Sequence, residues 1–338
     1  MKSQRIVVLV HELLVPPDHI DDCTQQEYDE FSTEFDVVQQ LEASGHQVRC
    51  LGIGDSLVEL TEVINEWHPH VVFNLADEFQ GIVSFDQHLV SYLEMLRQPY
   101  TGCNPRGLLL SRDKALAKRI LSSHGIATPA FAVFAKGQRV TLPVGLNFPL
   151  FVKSASDDAS LGIAQASMVR DLHSLKQRVE FVHQQTGSLA LVEEFIAGRE
   201  LYVGVIGNQR LQAYPVWEMD FGTADVNGVA IATRKAKWDH DYRERHGIDS
   251  HAAKDIDPAL EKRIKAMALS GYRALSLTGY ARMDFRLSAE GKLFLLEANA
   301  NPCLTSFDDF AKSAAAAGED YAALLDHIIQ LGKRYRIT

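Results

Sequence analysis

The sequence has 338 residues, of which 46% are hydrophobic and 23% charged, and a formal net charge of −10. This length predicts two or three packed subdomains, and the composition is that of a globular protein without the roughly 20 consecutive apolar residues of a membrane helix. The negative charge disfavours nucleic acid as a partner, because that affinity comes largely from clustered lysine and arginine.

The first third of the chain alternates predicted strands and helices. The apolar run at residues 6–10 meets His11 and Glu12 and lacks a small-residue cleavage site, which favours a first strand over a signal peptide and predicts a cytoplasmic protein. Further strands are predicted at 47–51 and 71–74, and helices at 31–43, 57–67 and 86–96. This βαβ order predicts a parallel sheet. No GxGxxG motif follows the first strand, which excludes the usual nicotinamide-dinucleotide site.

The remaining elements fall into two further groups. The second group begins with a helix at 113–124, which ends at Gly125 and is followed by Pro129. It continues with strands near Phe131 and Leu150, a polar loop at 154–160 and a helix at 172–185. The third group is rich in strands with period-two alternation, at 190–194, 201–206, 211–216, 280–286 and 293–298, with helices at 258–275 and 321–332.

The segment GYARMDFRLSAEGKLFLLEANANP is the most informative one. Strand alternation places Arg282 and Asp284 on one face, and Glu297 and Asn299 on one face of the next strand. A turn at 288–291 would bring the two faces together. Two carboxylates and an amide oxygen suit Mg²⁺ bound to substrate phosphates, and the arginine can stabilise negative charge in a transition state. The alternative is a solvent-exposed hairpin whose acidic residues bind no ligand.

Two lysines and an acidic segment add candidate nucleotide contacts. Lys114 opens a predicted helix and Lys153 ends the strand FPLFVK, so each can present a charge to a phosphate or remain solvated. The loop DDASLGI after Lys153 can cover phosphates with backbone N–H groups. The segment ALVEEFIAGRE ends a strand in Glu193 and Glu194, and a carboxylate there or at Glu200 can bind a ribose hydroxyl or face water.

The order and approximate spacing of these residues resemble the D-alanine–D-alanine ligase branch of the ATP-grasp superfamily, from about Val72 to about Gly318. PYTGCNPRGLLLSRDKALAK resembles the family's subdomain boundary and first ATP-binding lysine. FVKSASDDASLGI resembles its second lysine and phosphate-covering loop, and LEANANPCLTS its metal-binding strand and closing turn. The resemblance implies an α/β fold with a Rossmann-like N-terminal substrate subdomain at 1–106, followed by central and C-terminal ATP-grasp subdomains at 107–190 and 191–338.

The resemblance also implies a reaction and a set of site residues. The expected enzyme uses ATP and two Mg²⁺ ions to join a small carboxylate and an amine, such as amino acids or their derivatives, through an acyl phosphate, and it is expected to be a homodimer. The implied ATP-binding residues are Lys114, Lys153, Ser160, Glu193, Glu194, Phe195, Ile196, Glu200 and Lys237. The implied metal ligands are Asp284, Glu297 and Asn299, the catalytic residues are Arg282 and Lys237, and the substrate-binding residues are Gln80, Arg282, Asp308 and Asp309. The segment 235–247, which contains Lys237 and Trp238, resembles a mobile loop that closes over the site.

The substrate end departs from the family pattern. The family's glycine-rich serine motif is replaced here by HELLVPPDHIDDC, and its His-Gly pair is replaced by Gln80-Gly81. The serine-leucine pair that binds the acceptor carboxylate in the family is replaced by Asp308-Asp309. An ionised aspartate would repel that carboxylate, which predicts an acceptor other than plain D-alanine. Three alternatives remain: an acceptor without a free carboxylate there, an acceptor with a cationic group, or an aspartate turned toward an arginine or a helix N-terminus.

Two other functions remain open, an authentic D-alanine–D-alanine ligase and a nucleotide-binding regulatory protein without turnover. The four cysteines lie far apart without a CxxC pair, which fits reduced structural thiols. Cys303 lies beside the predicted site and is expected to pack there, because a reactive thiol needs an electropositive pocket and two aspartates follow closely.

Overall fold

The computed structural model describes residues 3–21, 23–156, 164–225 and 230–337. Its strands are β1 (Arg5–His11), β2 (Gln47–Ile53), β3 (Val71–Asn74), β4 (Phe131–Phe134), β5 (Leu150–Ser154), β6 (Met168–Val169), β7 (Ala190–Glu194), β8 (Arg199–Ile206), β9 (Gln212–Ala213), β10 (Trp217–Asp220), β11 (Asp249–Ala252), β12 (Tyr280–Leu287) and β13 (Leu293–Ala300). Its α-helices are α1 (Gln25–Ala43), α2 (Val58–Trp67), α3 (Asp86–Met95), α4 (Pro105–Arg112), α5 (Lys114–Ser123), α6 (Leu172–Thr186), α7 (Arg234–Trp238), α8 (His240–His246), α9 (Pro258–Ala274), α10 (Asp309–Ala316) and α11 (Tyr321–Arg334). Within this part of the chain, none of the helices is long and apolar enough to cross a bilayer.

The first sheet is parallel, with the strand order β2-β1-β3, as the βαβ pattern predicts. Side chains of β1 alternate between two buried faces. Val7 and Leu9 join one core cluster, and Ile6 and Val8 join another that includes residues of α1 and α11. Burial on both faces explains the continuous apolar run of this strand.

The second sheet is antiparallel and has the order β4-β7-β5-β6. Helix α6 packs on it through Leu175, Val179 and Val182, which recur at helical spacing. Strand β7 pairs with β4 and β5, so the whole of Ala190–Glu194 lies in this sheet. The subdomain boundary proposed at 190–191 falls at the start of that strand.

The third sheet has the order β11-β10-β8-β12-β13, with β9 attached to β8. Helix α9 packs against it, and Ile264 and Ala268 lie in the same core cluster as Met283 and Leu295. The sheet places β12 centrally, so one face of that strand packs in the core and the other is available to line a site.

Several elements differ from the sequence-based expectation. The strand predicted at 211–216 shortens to β9, because Pro215 cannot donate to a strand ladder. Helix α1 begins earlier than predicted because Thr24 and Glu27 form a capping box. Strands β10 and β11 and helix α4 were not predicted, although α4 begins with the recognisable signal Asn104-Pro105, an N-cap followed by proline.

Candidate active site

A cleft of about 1400 Å³ is lined by residues of all three sheets, among them Asn74 of β3, Lys153 of β5 and Asp284 of β12. Ligand sites for a single small molecule usually span about 300–1000 Å³. The cleft therefore has room for a nucleotide together with further substrates.

The hairpin β12–β13 brings the predicted acidic residues together. Asp284 lies directly opposite Glu297, and Arg282 lies opposite Asn299. The Arg282 guanidinium donates two hydrogen bonds to Asp284, at 2.8 and 3.0 Å, and the Asn299 amide donates to the same carboxylate at 3.0 Å. Backbone hydrogen bonds close the turn at 288–291. The register expected from strand alternation is confirmed.

A β-bulge in β13 turns two consecutive side chains toward the cleft. Asp284 pairs with Glu297, whereas Phe285 pairs with Leu295, so Leu296 is the extra residue. Bulges of this kind re-aim side chains beside sites. Leu296 and Glu297 both line the cleft. An apolar side chain therefore lies directly beside the paired carboxylates.

Four charges of alternating sign form a row from buried Lys118 of α5 to Glu297 of β13, and all of them except Lys118 line the cleft. Lys118 Nζ lies 2.9 Å from one carboxylate oxygen of Glu193, and Lys153 Nζ lies 3.0 Å from the other. Lys153 Nζ also lies 3.5 Å from Glu297. Lys118 is 1% exposed and Glu193 is 4% exposed, so water screens these charges little. We call Lys118, Glu193, Lys153 and Glu297 the charge row.

The cations around the two hairpin carboxylates shape their pKa values. Burial favours the neutral form of Glu297, but the neighbouring cations, above all Lys153, outweigh it and hold its pKa well below the usual range. Burial raises the pKa of Asp284 above its usual value, against the opposing effect of Arg282. The site therefore combines anionic oxygen ligands with a strong positive field, which suits a metal-bound polyphosphate.

The oxygen ligands of the hairpin fit Mg²⁺ that is bound to phosphate. Asp284 and Glu297 supply carboxylates, and Asn299 retains its amide oxygen because its nitrogen makes the bond to Asp284. Mg²⁺ bound with nucleotides takes few protein carboxylates and completes its shell with phosphate oxygens and water. In the described ranges, no three His, Cys, Asp or Glu side chains form a group that could hold a metal ion. The protein's contribution would therefore be these three side chains.

Another part of the cleft is apolar and contains the predicted adenine segment. The Phe151 and Phe195 ring centroids lie 6.5 Å apart, and both residues line the cleft with Ile196. The backbone N–H groups of Glu194 and Phe195 donate to carbonyl groups of neighbouring segments, at 2.9 and 3.3 Å. These two N–H groups are therefore already used and are not available to adenine.

Glu200, the expected ribose ligand, lines the cleft but is already hydrogen-bonded within the protein. Its carboxylate accepts from the Tyr202 hydroxyl at 2.8 Å and from Arg286 at 2.5 Å. Arg286 was not predicted as a site residue. Strand alternation could have identified it as a site residue, because Arg286 follows Arg282 and Asp284 on the same face of β12.

The segment 235–247, which resembles a mobile closing loop in sequence, contains most of α7 and the whole of α8. Thr233 caps α7 and Asp239 caps α8, each by accepting a backbone N–H. Lys237 and His240 of this segment line the cleft. The His240 imidazole reaches Asp29 of α1 at 3.1 Å. The segment thus connects the third sheet with the N-terminal part of the molecule across the cleft.

At the substrate end, Asp308 and Asp309 line the cleft, but Gln80 does not belong to the lining. Asp308 is the N-cap of α10 and accepts the Asp309 N–H at 2.6 Å. Of the three alternatives for Asp308, the structure therefore shows the one in which the aspartate turns toward a helix N-terminus. Gln80 is exposed, and its amide donates to the Asp55 carbonyl at 3.1 Å, so the expected substrate contact lacks structural support.

Of two further expectations, the one for Cys303 can be compared with the structure and the one for Ser160 cannot. Ser160 and the phosphate-covering loop at 157–163 lie outside the described residues. The Cys303 thiol has a pKa raised to about 12 by burial and by Asp308, which agrees with a packing role. Lys118 was missed, although it follows Lys114 by one turn on the buried face of α5.

Comparisons with known proteins add an independent line of evidence. Residues 120–330 match the family model "D-ala D-ala ligase C-terminus". The chain is 34% identical to a D-alanine–D-alanine ligase of Bordetella petrii over 72% of this chain and 71% of that protein. It is 31% identical to the uncharacterized protein y4sG of Sinorhizobium fredii over 78% of this chain and 75% of that protein.

A solved structure covers nearly the whole chain. The D-alanine–D-alanine ligase of Bacillus anthracis, crystallised with ATP, superposes with a TM-score of 0.74 at 22% identity and covers 98% of both chains. Similarity at this identity concerns the fold. The α/β fold class predicted from the sequence, with ATP-grasp architecture, is confirmed.

Proposed function

The chain belongs to the D-alanine–D-alanine ligase family of ATP-dependent C–N ligases with the ATP-grasp fold, and on this premise we propose that it joins a carboxylate to an amine through an acyl phosphate. The resemblance drawn from its motifs is thereby confirmed. The observation that carries the proposal is the opposed pair Asp284 and Glu297, with Asn299 beside them, under the positive field of Lys153. The products would be the amide, ADP and phosphate.

In this proposal, Lys114, Lys153 and the hairpin hold the phosphates of ATP. Lys114 and Lys153 bind phosphate oxygens, and Asp284, Glu297 and Asn299 hold two Mg²⁺ ions. When bound, Mg²⁺ would neutralise negative charge on the phosphate oxygens. Glu193 keeps Lys153 in place from the opposite side, at 3.0 Å. The lysine is therefore directed before the nucleotide arrives, which reduces the ordering that binding requires.

Arg282 and Lys237 are the proposed catalytic groups. Arg282 is fixed by two hydrogen bonds to Asp284 and lies 4.7 Å from the Tyr202 ring centroid. A guanidinium fixed in this way can stabilise the charge that develops on the acyl phosphate and on the tetrahedral species during amine attack. Lys237 lies on α7 over the same site and acts on Asp284 and Glu297 electrostatically. The two cations would approach the reacting group from the sheet and from α7.

The acceptor is proposed to be different from plain D-alanine. Asp308 and Asp309 place two carboxyl groups where a carboxylate-bearing acceptor would bind, although burial together with Asp309 raises the pKa of Asp308 and so favours its neutral form. The N-cap interaction of α10 also weakens the expected repulsion of the acceptor carboxylate, because one Asp308 oxygen accepts a backbone N–H. An authentic D-alanine–D-alanine ligase is therefore the second candidate, and it is favoured by the names of the relatives.

ADP release decides between these candidates. We expect the purified protein with Mg-ATP to release ADP with at least one pair from a panel of carboxylates and amines, and the amide to be detected by mass spectrometry. D-Alanine alone is one arm of the panel. Saturable formation of its dipeptide would establish the second candidate. A protein that binds ATP but releases no ADP with any pair would contradict the ligase proposal and favour the nucleotide-binding regulatory protein.

Helices α7 and α8 are proposed to act as a lid that orders when nucleotide binds. The segment is rich in charge, and one of its contacts across the cleft is the His240–Asp29 pair, which is exposed and therefore weak. We expect limited proteolysis to cut within 235–247 in the apo protein and to be suppressed by Mg-ATP with substrates. Cleavage elsewhere serves as the internal control. Equal cutting of the segment in both states would contradict the lid.

A further inference from the structure

Helix α1 and the segments between β3 and α4 present an acidic surface to the cleft. The lining residues between 14 and 112 include five carboxylates but, in the part of the chain that the structure describes, one arginine and no lysine. We call the carboxylates of this surface the acidic wall; they are Asp29, Glu30, Glu34, Asp77 and Asp86. Two of them already have partners, because Asp86 binds Arg112 and Asp29 binds His240.

Glu34 differs from the other members of the wall because it is buried. The residue is 5% exposed although it lines the cleft. Among the described residues, its carboxylate has no hydrogen bond or ion pair with another side chain, and it accepts from its own backbone N–H. Burial raises the pKa of Glu34 to about 7, and Asp77 adds to this effect. A buried carboxylate without a countercharge is costly when it is ionised, and a cationic ligand would favour that ionised form.

The sequence places Glu34 where an apolar residue is expected. The buried stripe of α1 contains Glu34, Val37 and Leu41, which lie three and four residues apart on one face. Val37 and Leu41 pack in the core with the first sheet. One turn earlier, the same stripe reaches the cleft and carries a carboxylate. Such local violations of the apolar pattern concentrate at functional sites.

We propose that Glu34 binds a cationic group of the substrate, so that the enzyme acts on basic amino acids such as lysine or ornithine. This inference rests on the proposed ligase function and specifies its substrate class. The substrate carboxylate would lie at the Arg282 end, where phosphate transfer is proposed, and the side-chain ammonium would reach the acidic wall. The cleft contains charges of both signs, since Lys153 of β5 and Arg282 of β12 line it together with Glu34 and Asp77 of the N-terminal part of the chain.

The test compares substrates of nearly equal shape and different charge. ADP release is measured with lysine, ornithine and the uncharged analogue norleucine, each in both stereoisomers and each with the same panel of second substrates. All of them carry an α-ammonium group, so a difference reports the side-chain cation alone. Charge-assisted hydrogen bonds in buried sites correspond to about 10- to 100-fold in affinity, and we expect kcat/KM for the basic substrates to exceed that for norleucine by at least about 10-fold.

Glu34→Gln and the control Glu42→Gln identify the residue responsible. Glu42 lies on the same helix, is exposed and does not line the cleft. Glu34→Gln should raise KM for the basic substrates by about 10-fold or more and leave norleucine within about threefold. It should also be at least as heat-stable as the parent, because it removes a buried charge. Glu42→Gln should match the parent throughout. Equal losses for lysine and norleucine would overturn the proposal.

A binding measurement separates failure of this inference from failure of the ligase proposal. Lysine and norleucine are titrated into the full-length protein in the presence of Mg²⁺ and a non-hydrolysable ATP analogue, by calorimetry and thermal shift. We expect lysine to bind and to stabilise the parent but not Glu34→Gln. Turnover with norleucine as good as with lysine would overturn the cationic substrate and leave the ligase intact. Lysine binding without ADP release would support the cation site and contradict the ligase.

Discussion

Replacing Glu297 with glutamine is expected to lower ADP release by at least about 100-fold while the fold remains intact. Glutamine has nearly the same shape but cannot supply the negative oxygen that faces Asp284 across the hairpin. The fold should survive because Lys153 keeps Glu193 as its partner at 3.0 Å when the 3.5 Å contact with Glu297 is lost. The measurement is ADP release at saturating ATP, together with circular dichroism.

The same hairpin offers a matched control. Glu290 lies in the exposed turn between β12 and β13, and Glu290→Gln changes the charge of the protein by the same amount away from the cleft. This variant should retain the parent rate. The Glu297→Gln defect should become smaller as the Mg²⁺ concentration is raised, because a weakened metal site fills at higher concentration. A parent rate for Glu297→Gln with active substrates would contradict the assignment of Glu297 as a ligand.

The arrangement of the hairpin could be predicted because it depends on local rules. Strand alternation and a short turn fix which side chains of β12 and β13 face each other, so Asp284 and Glu297 were brought together from the sequence alone. The bulge at Leu296 could not be predicted, since alternation assumes an unbroken ladder. It matters for function because it turns an apolar side chain and a carboxylate to the same side.

The buried ion-pair partners of Lys118 and Lys153 could not be predicted either, because these contacts join elements that are distant in the sequence. Lys118 and Glu193 lie 75 positions apart in the sequence on separate elements, and their 2.9 Å contact exists only when α5 packs beside β7. Glu193 lines the cleft as expected of a nucleotide-pocket residue, but the position of its carboxylate between two lysines was not predicted. Gln80 illustrates the same limit, because matching a short loop by position does not determine the direction of a side chain.

Within the charge row, each cation lies next to an anion, so removing one anion is expected to destabilise the fold. Glu193→Gln would leave Lys118 and Lys153 close together with Glu297 as the one remaining anion of the row. Breaking a buried ion pair by removal of one partner costs about 3–5 kcal/mol of unfolding free energy. We expect a loss of this size at pH 6. The double variant Lys118→Met/Glu193→Gln should be more stable than Glu193→Gln, because it restores one cation beside one anion.

The pH dependence of this loss follows from Lys118. Burial lowers the pKa of Lys118 even while Glu193 opposes that effect, and glutamine removes the opposing charge. In Glu193→Gln, the folded state therefore binds the proton more weakly than the unfolded state, whose lysine titrates near its ordinary pKa. Since the unfolded state then holds more protons, stability rises with pH up to that value. Urea denaturation at pH 6 and pH 9 should show the deficit of Glu193→Gln relative to the double variant shrinking at the higher pH. A deficit that grows with pH, or a double variant less stable than Glu193→Gln at pH 6, would contradict the alternating charge row as the source of stability.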